Sequence, residues 1–315
     1  MEYYFAPMEG VTTAVFRRIH HRLFGGPDKY FTPFISPTSE HLLTARELRE
    51  ISPENNAGLK VTPQILTKNP EDFLWAAAQL GDMGYGEVNL NLGCPSATVT
   101  AKGKGAGLLR TPETLERLLD GIFSRAEIPV SVKTRIGYAE SEEFPALLER
   151  LCRYPMAELI LHCRTRREMY AGAVHYEAFG LAAERCRARL CFNGDLFTPG
   201  DFTALAARYP DLPAAAAARG AAEDPALFRR LKGGPAASRQ ELRRFHEEIY
   251  DAYCSAYGRL NGMRRTRELW HYLIERFENT AELRKKIFRT KDPAVFEDAV
   301  TEVFRELPVK DGEEA

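Results

Sequence analysis

The chain has 315 residues, of which 44% are hydrophobic and 28% are charged, and its formal net charge is −1. This composition is ordinary for a soluble globular protein, and the length allows one large domain and a small one. No run of 18 or more apolar residues is present, and no basic segment followed by an apolar one begins the chain, so we expect neither a membrane span nor a secretory signal. The six cysteines form no CxxC pair, which favours a reducing, cytoplasmic location and argues against a cysteine-based zinc site.

Up to about residue 232, short apolar runs that are typical of strands alternate with amphipathic helical segments. The predicted strands cover residues 3–6, 30–35, 60–66, 87–92, 130–136, 158–162, 189–192 and 212–218. Their starts are about 23 to 43 residues apart, which is the spacing of parallel βα units. We therefore predict an α/β fold, a (β/α)8 TIM barrel, over residues 1–234. An open doubly wound sheet is the alternative, although no GxGxxG follows the first strand.

The eighth predicted strand is the weakest, because residues 213–218 contain five alanines and no β-branched side chain. Local propensity alone favours a helix there. We assign a strand from its place in the alternation and from Arg219-Gly220, which follows it.

The alternation stops at residues 233–235, after which the chain is predicted to be helical. We expect helices at 239–257, 264–277, 280–288 and 293–307, with breaks at Gly258, Gly262 and Asp292-Pro293. These form a second, all-helical domain over residues 238–307, followed by a flexible tail at 308–315. Between residues 259 and 291, ten Lys and Arg face only four Glu, so this segment is either a solvated helical face or an anion-binding surface.

Cys94 lies at the end of the fourth predicted strand, in the run Asn91-Leu92-Gly93-Cys94-Pro95. Pro95 lacks an N–H and cannot continue a parallel ladder, so the chain leaves the sheet at the thiol. A free cysteine is usually a small buried hydrophobe. The constrained backbone around Cys94 instead favours a role in a site.

Polar or sulfur-bearing side chains, or glycines, follow six of the other strands at the same end, which is where barrels of this class build their sites. Lys133 interrupts an apolar strand, His162 ends the next strand and precedes Arg164 and Arg166, and Gln64 needs partners for its amide, of which a ligand is one source. The set at the strand ends comprises Pro7, Met8, Gln64, Asn91, Cys94, Lys133, His162, Arg164, Asn193, Gly194, Asp195, Arg219 and Gly220. The loops after strands seven and eight are suited to a phosphate group. We expect no metal site, since an HExxH helix is absent, and no P-loop is present.

These residues, in this order, resemble the bacterial type of the tRNA-dihydrouridine synthase family over nearly the whole chain. The matching segments are residues 6–12 (APMEGVT), 91–96 (NLGCPS), 105–109 (GAGLL), 131–135 (SVKTR), 162–172 and 193–195. Three positions depart from the family pattern: Ala218 replaces the first glycine of a Gly-Arg-Gly, which could crowd a phosphate, Asp224 replaces the asparagine of an Asn-Pro, and Cys163 replaces a glycine after the histidine.

The resemblance implies a barrel that holds FMN, is reduced by NADPH and is followed by a helical tRNA-binding domain. Cys94 is then the general acid that delivers a proton to C5 of uridine, while the hydride reaches C6 from the flavin. The flavin contacts it implies are Pro7, Met8, Gln64, Lys133, His162, Asn193, Gly194, Asp195, Arg219 and Gly220. We expect contacts to the base or RNA from Asn91, Lys102, Arg164, Arg166, Arg264, Arg265, Lys285 and Lys286.

Two alternatives stay open at the level of sequence. One is a small-molecule flavin reductase of the dihydroorotate dehydrogenase kind, against which the basic helical segment argues. The other is a tRNA-binding protein that has lost its flavin, a reading motivated by Ala218 and the alanine run. We expect a monomer, and we expect most aromatic residues near the basic cluster, Tyr253, Tyr257, Trp270 and Tyr272, to lie in the helical core.

Overall fold

The computed structural model describes residues 1–310, in which nine parallel strands form one sheet. The strands are β1 (Glu2–Phe5), β2 (Lys29–Phe31), β3 (Val61–Thr62), β4 (Gln64–Ile65), β5 (Val88–Leu92), β6 (Val130–Arg135), β7 (Glu158–His162), β8 (Arg189–Asn193) and β9 (Ala214–Ala217). Their order in the sheet is β3-β2-β1-β9-β8-β7-β6-β5-β4. The two edge strands are consecutive in the chain, as a closed barrel requires.

Pro63 explains why eight predicted strands become nine. It has no N–H to donate, and it divides the third predicted strand into β3 and β4. Ile35 closes the ring across this division, because its N–H donates to the carbonyl of Gln64 at 2.8 Å and its carbonyl accepts from the N–H of Leu66 at 2.8 Å. The predicted barrel is thereby confirmed, and the open-sheet alternative is wrong.

The alanine run does form the last strand, β9, which pairs in parallel with both β1 and β8. Ala214 and Ala216 lie inside the barrel in one cluster with Tyr4, Phe31 and Ile160. The small side chains leave room for these large ones, so packing decides the conformation where propensity opposes it.

Ten helices surround or follow the strands of the barrel within the described residues. They are α1 (Ala14–Leu23), α2 (Ala45–Ile51), α3 (Pro70–Asp82), α4 (Ala97–Thr100), α5 (Pro112–Phe123), α6 (Phe144–Leu151), α7 (Tyr176–Arg185), α8 (Pro199–Arg208), α9 (Arg219–Glu223) and α10 (Leu227–Leu231). Side chains cap the N-termini of several of these helices. For example, Thr13 caps α1, and Thr198 forms a capping box with Asp201 at the start of α8. Short 3₁₀ turns lie at Pro53–Asn56, Gly105–Arg110 and Ser141–Glu143.

Four further helices follow the barrel: α11 (Arg239–Tyr257), α12 (Arg259–Leu273), α13 (Ala281–Arg289) and α14 (Pro293–Glu306). A 3₁₀ turn at Ile274–Arg276 follows α12. Gly258 separates α11 from α12 with a φ of 78°, a backbone conformation that favours glycine. The predicted break at Gly262 is wrong, because this glycine lies inside α12. A Cβ atom there would lie 2.5 Å from the Cys254 sulfur, so glycine lets α11 and α12 approach closely.

The helical segment packs on the barrel through α1 and α11. The Phe245 ring lies 5.4 Å from the Phe16 ring and 5.3 Å from the Phe24 ring, and the hydroxyls of Thr13 and Tyr253 are hydrogen-bonded at 2.7 Å. One hydrophobic cluster therefore includes residues of both predicted domains.

The described part of the predicted flexible tail is paired with the chain. Val309 bridges Phe277 in antiparallel fashion, the N–H of Glu278 donates to the carbonyl of Pro308, and the N–H of Lys310 donates to the carbonyl of Arg276. Residues 308–310 are therefore held, contrary to the prediction, and residues 311–315 lie outside the described residues. Within residues 1–310, each helix is too short or too polar to cross a bilayer.

Replacing Gly262 with alanine is expected to destabilise the protein by about 1–3 kcal/mol, because the new methyl group overlaps both the sulfur and the backbone of Cys254. Gly81 in α3 is the matched control, since a Cβ there meets no atom within 4 Å and Gly81→Ala should stabilise the helix by roughly 0.5–1 kcal/mol. Urea unfolding of both variants measures the difference. Equal stabilities would contradict the role assigned to Gly262.

Candidate active site

A cavity of about 560 Å³ opens at the carboxyl ends of the strands. Most of the predicted site residues line it: Pro7, Met8, Gln64, Asn91, Cys94, Lys133, His162, Asn193, Gly194, Arg219 and Gly220. They come from seven different segments of the chain, and the barrel brings them together because parallel strands end at one rim.

The loop that carries Cys94 is fixed by Asn91. The Asn91 side-chain oxygen accepts hydrogen bonds from the N–H groups of Gly93, at 3.0 Å, and of Cys94, at 2.8 Å. Gly105 packs closely on the other side, where a Cβ would lie 3.0 Å from the Cys94 Cβ. Burial raises the pKa of the Cys94 thiol, and the nearby Glu9 carboxylate raises it further, while the N–H of Ser96 and the cations of Arg135 and Lys133 oppose the shift. The thiol is consequently protonated at neutral pH and suits proton donation better than nucleophilic attack.

A row of amide side chains orients Asn91 from inside the barrel. Asn91 donates to the Gln64 side-chain oxygen at 2.6 Å, Gln64 donates to Asn89 at 2.8 Å, and Asn89 donates to Ser131 at 2.9 Å. From the sequence, a ligand was one possible source of partners for the Gln64 amide. In the structure, its two partners are the side chains of Asn91 and Asn89. Through this row of hydrogen bonds, side chains inside the barrel fix the orientation of Asn91, and Asn91 in turn fixes the Cys94 loop.

Lys133 points toward the same cavity and is tied to Asn193. Its Nζ donates to the Asn193 side-chain oxygen at 2.9 Å, and the Asn193 amide donates to the carbonyl of Ala216 at 2.8 Å. Burial lowers the pKa of Lys133 to about 8, and the charge of Arg135 contributes to the same shift. The lysine therefore still carries its proton at pH 7 but is poorly solvated, which makes it a strong partner for a bound anion.

His162 has a buried ring nitrogen that the protein does not satisfy. Its Nε2 has no hydrogen-bond partner among residues 1–310, although the side chain lines the cavity. Burial, and then the charges of Arg135 and Lys133, hold the pKa of His162 well below its ordinary value, so the ring is neutral. A buried polar atom without a partner indicates that a bound group completes its hydrogen bonding.

Asp195 connects two arginines at the rim. It forms a two-pronged ion pair with Arg164 and a second ion pair with Arg219 at 2.6 Å. Asp195 thus holds Arg219 at the cavity without lining it. Arg164 is only 3% exposed, and this burial contradicts the prediction that it contacts RNA phosphates.

The remaining residues that were predicted to bind RNA lie away from the cavity or support it. Arg166 is half-buried and donates to the carbonyl of Pro95 at 3.1 Å, so it braces the Cys94 loop. Lys102 is exposed. The others belong to the helical segment: Arg264, Arg265, Lys285 and Lys286. Both lysines are ion-paired on α13 or across to α14, and Arg265 stacks on the Tyr257 ring at 3.9 Å.

Sequence reasoning missed Arg135, which joins the Cys94 loop to the loop that follows β7. Its guanidinium donates to the carbonyls of Gly93 at 3.0 Å, Thr165 at 2.8 Å and Met169 at 2.7 Å. A signal was present, since Arg135 is two residues after Lys133 on one strand and shares its face. Tyr170 and Tyr272, which also line the cavity, were missed as site residues as well.

Tyr272 reaches the cavity from α12, which shows that the helical segment forms one wall of the site. No local pattern distinguishes it from the core aromatics around it. Tyr170 lies between two cations, with its ring 4.9 Å from the Arg219 guanidinium and 5.2 Å from that of Arg135. Among residues 1–310, no group of three or more His, Cys, Asp or Glu side chains is arranged to hold a metal ion.

Comparison with known proteins gives one family and one fold. The model of the family described as dihydrouridine synthase matches residues 4–307. A "Probable tRNA-dihydrouridine synthase" of Staphylococcus epidermidis is 36% identical over 176 residues, 55% of this chain and 52% of that protein. The protein of the same name from Staphylococcus aureus (strain Mu50) is 34% identical over 200 residues, 62% of this chain and 59% of that protein. The chain therefore matches only between half and three fifths of the length of these relatives.

Solved structures with a similar fold include a variant of NCR from Zymomonas mobilis and morphinone reductase. The first has a TM-score of 0.52 at 13% identity and covers 75% of this chain and 88% of its own. The second has a TM-score of 0.53 at 11% identity and covers 76% of this chain and 87% of its own. At this identity the likeness concerns the barrel fold alone.

Proposed function

Because the chain belongs to the dihydrouridine synthase family, we propose that it reduces uridine in tRNA to 5,6-dihydrouridine, with bound FMN and with NADPH as the reductant. One observation supports this most directly. A single cavity at the strand ends combines a protonated thiol, Cys94, with a buried cation, Lys133, and an unsatisfied histidine, His162. Fixed acid and cation groups of this kind suit a redox reaction in which a proton is also delivered.

The residues of the cavity fit a flavin. Its volume of about 560 Å³ lies within the usual range of about 300–1,000 Å³ for cofactor sites. Lys133, His162 and Asn193 offer polar groups to the ring system, and Arg219 with Gly194 offers a place for the phosphate. Ala218, which raised the possibility of crowding, has a φ of −122°, outside the region that favours glycine. Ala218 itself lines the cavity, so the flavin content of the purified protein decides between the enzyme and the flavin-free RNA-binding alternative.

When bound, a reduced flavin supplies the hydride that C6 of uracil requires, since no side chain can do so. The proton for C5 comes from Cys94, whose raised pKa keeps the thiol protonated and whose loop Asn91 holds in place. Lys133 places a positive charge in the site, where it stabilises negative charge that develops during reduction. Arg135 holds the Cys94 loop against the loop that follows β7 and so helps to keep the thiol in place.

A uridine within folded tRNA has to leave its stack to enter such a cavity, at a cost of a few kcal/mol. Contacts to the RNA backbone offset this cost. The exposed cations of the helical segment, including Arg264, and the exposed Lys102 are suited to make them. We propose that the barrel, residues 1–234, performs the chemistry, that the helical domain, residues 238–307, orients the RNA, and that the protein acts as a monomer.

The decisive experiment uses the purified protein with tRNA transcribed in vitro, which carries no modification. We expect a flavin absorbance band near about 450 nm, release of FMN on denaturation, and dihydrouridine in the tRNA nucleosides after incubation with NADPH. Parallel reactions with NADH and with free pyrimidines define the reductant and test the small-molecule alternative. Unreduced tRNA in the presence of a flavin that NADPH does reduce would contradict the proposal.

A further inference from the structure

A narrow groove of about 130 Å³ adjoins the active cavity and shares three lining residues with it, Glu9, Pro33 and Phe34. Its walls come from α1, α2, the end of α11 and the middle of α12, so both parts of the chain contribute. The groove is smaller than the usual range of cofactor sites, about 300–1,000 Å³. Any occupant is therefore a small group or a segment of a ligand whose other part lies in the cavity.

The carboxylates that line this groove are already engaged. Glu9 is ion-paired with Arg46 at 2.6 Å. Glu47 accepts the N–H groups of Ser36 and Thr44 at 2.7 and 2.8 Å.

The third carboxylate, Glu50, pairs with the buried Arg17 at 3.3 Å and accepts the N–H of Ala14 at 2.7 Å. None of the three is therefore free to neutralise the other cations of the groove.

Three arginines of the groove, Arg18, Arg49 and Arg265, form no ion pair with any carboxylate of residues 1–310. Arg18 and Arg49 are exposed and Arg265 is half-buried. Two of them lie on one aromatic ring: the guanidiniums of Arg49 and Arg265 are 5.6 Å and 3.9 Å from the centre of the Tyr257 ring. Tyr257 thus limits the motion of both guanidiniums and leaves their N–H groups available to an anion.

We propose that this groove binds the sugar–phosphate backbone of the RNA nucleotides that flank the uridine in the cavity, with Arg18, Arg49 and Arg265 contacting phosphates. The inference rests on the proposed function and adds to it the path of the RNA strand on either side of the target uridine. Guanidinium groups match phosphate oxygens in geometry and charge, and a strand whose base enters the cavity has flanking phosphates next to it. The contact uses the barrel helices α1 and α2 as well as α12, so RNA recognition is not confined to the helical segment.

The test compares Arg18→Gln, Arg49→Gln and Arg265→Gln, singly and together, with Arg117→Gln on α5. Arg117 is the matched control, since it is exposed and forms no ion pair within residues 1–310, but it does not line the groove. For each groove variant we expect the slope of log Kd for tRNA against log salt to fall in magnitude by about 0.7–1, and by about 2–3 for the triple variant. KM for tRNA should rise about tenfold in the triple variant, because no groove residue touches the reacting atoms and only binding weakens. Its kcat and its NADPH oxidation without tRNA should stay within about twofold.

Unchanged salt slopes and an unchanged KM in the triple variant, with an active wild type, would overturn the inference and leave the proposed function intact. A rise in KM without a change in slope would also overturn it, since the lost contacts would not be to phosphates. A wild type that forms no dihydrouridine would instead contradict the proposed function. Thermal unfolding of the variants, expected to match that of the wild type, excludes misfolding as the cause.

Discussion

Replacing Cys94 with alanine is expected to lower dihydrouridine formation in tRNA by about 10²–10⁴-fold, the usual contribution of a positioned general acid. Flavin content and NADPH oxidation should stay unchanged, because the thiol belongs to the half-reaction on uridine. The structure supports this division: the Cys94 loop is held by Asn91 and Arg135 rather than by the sulfur, so the variant keeps the shape of the cavity.

The measurement follows single turnover of the pre-reduced protein on tRNA, with flavin reoxidation and nucleoside mass analysis as readouts. Cys152→Ala is the control, since Cys152 caps α6 on the outside of the barrel and does not line the cavity. The raised pKa of Cys94 adds a pH test: the wild-type rate should hold through neutral pH, and the part of its alkaline fall that comes from ionisation of the thiol should be missing in Cys94→Ala. Full reduction of tRNA by Cys94→Ala would show that the proton comes from another group.

The barrel and most of its rim were predictable because both follow from local patterns. The spacing of the strands indicates parallel βα units, and a polar residue at a strand end, such as Lys133 or His162, must lie at the rim once the strands are parallel. Even β9 could be placed, although alanine disfavours strands, because its position in the alternation outweighs its composition.

Pairings between distant loops were not predictable. Arg164 and Arg219 both form ion pairs with Asp195. Nothing in the sequence indicates that the Arg164 side chain is buried in its ion pair whereas the Arg219 side chain lines the cavity. Gly262 was mistaken for a helix break because its close contact with Cys254 exists only after α11 and α12 pack. The same holds for Tyr272, whose place in the cavity depends on how the helical segment meets the barrel.

Replacing Lys133 with methionine should stabilise the cofactor-free protein while impairing catalysis. Burial lowers the pKa of Lys133 to about 8 from an ordinary 10.5, so the folded state holds a charge that it solvates poorly. At 1.36 kcal/mol per pKa unit, the buried charge lowers the free energy of unfolding by about 3 kcal/mol. The substitution removes this cost, but it also removes the hydrogen bond to Asn193, which stabilises the folded state by about 1 kcal/mol. We therefore expect Lys133→Met to raise the free energy of unfolding at pH 7 by about 2 kcal/mol, and to slow reduction of the flavin by NADPH by about 10²-fold.

The pH dependence distinguishes this electrostatic cost from better packing. Below pH 8 the lysine is protonated in both states and its cost is constant; between about pH 8 and 10.5 the unfolded chain binds more protons, so wild-type stability should rise with pH. Lys133→Met should lack that rise, while Lys102→Met, which removes an exposed lysine, should keep it. Urea unfolding at pH 7 and pH 10 measures the difference, and parallel pH slopes for wild type and Lys133→Met would contradict it. A buried lysine that lowers the stability of the cofactor-free protein is expected at a functional site, where a bound anionic group stabilises its charge. We therefore attribute the unfavourable burial of Lys133 to the cofactor that the cavity is proposed to hold.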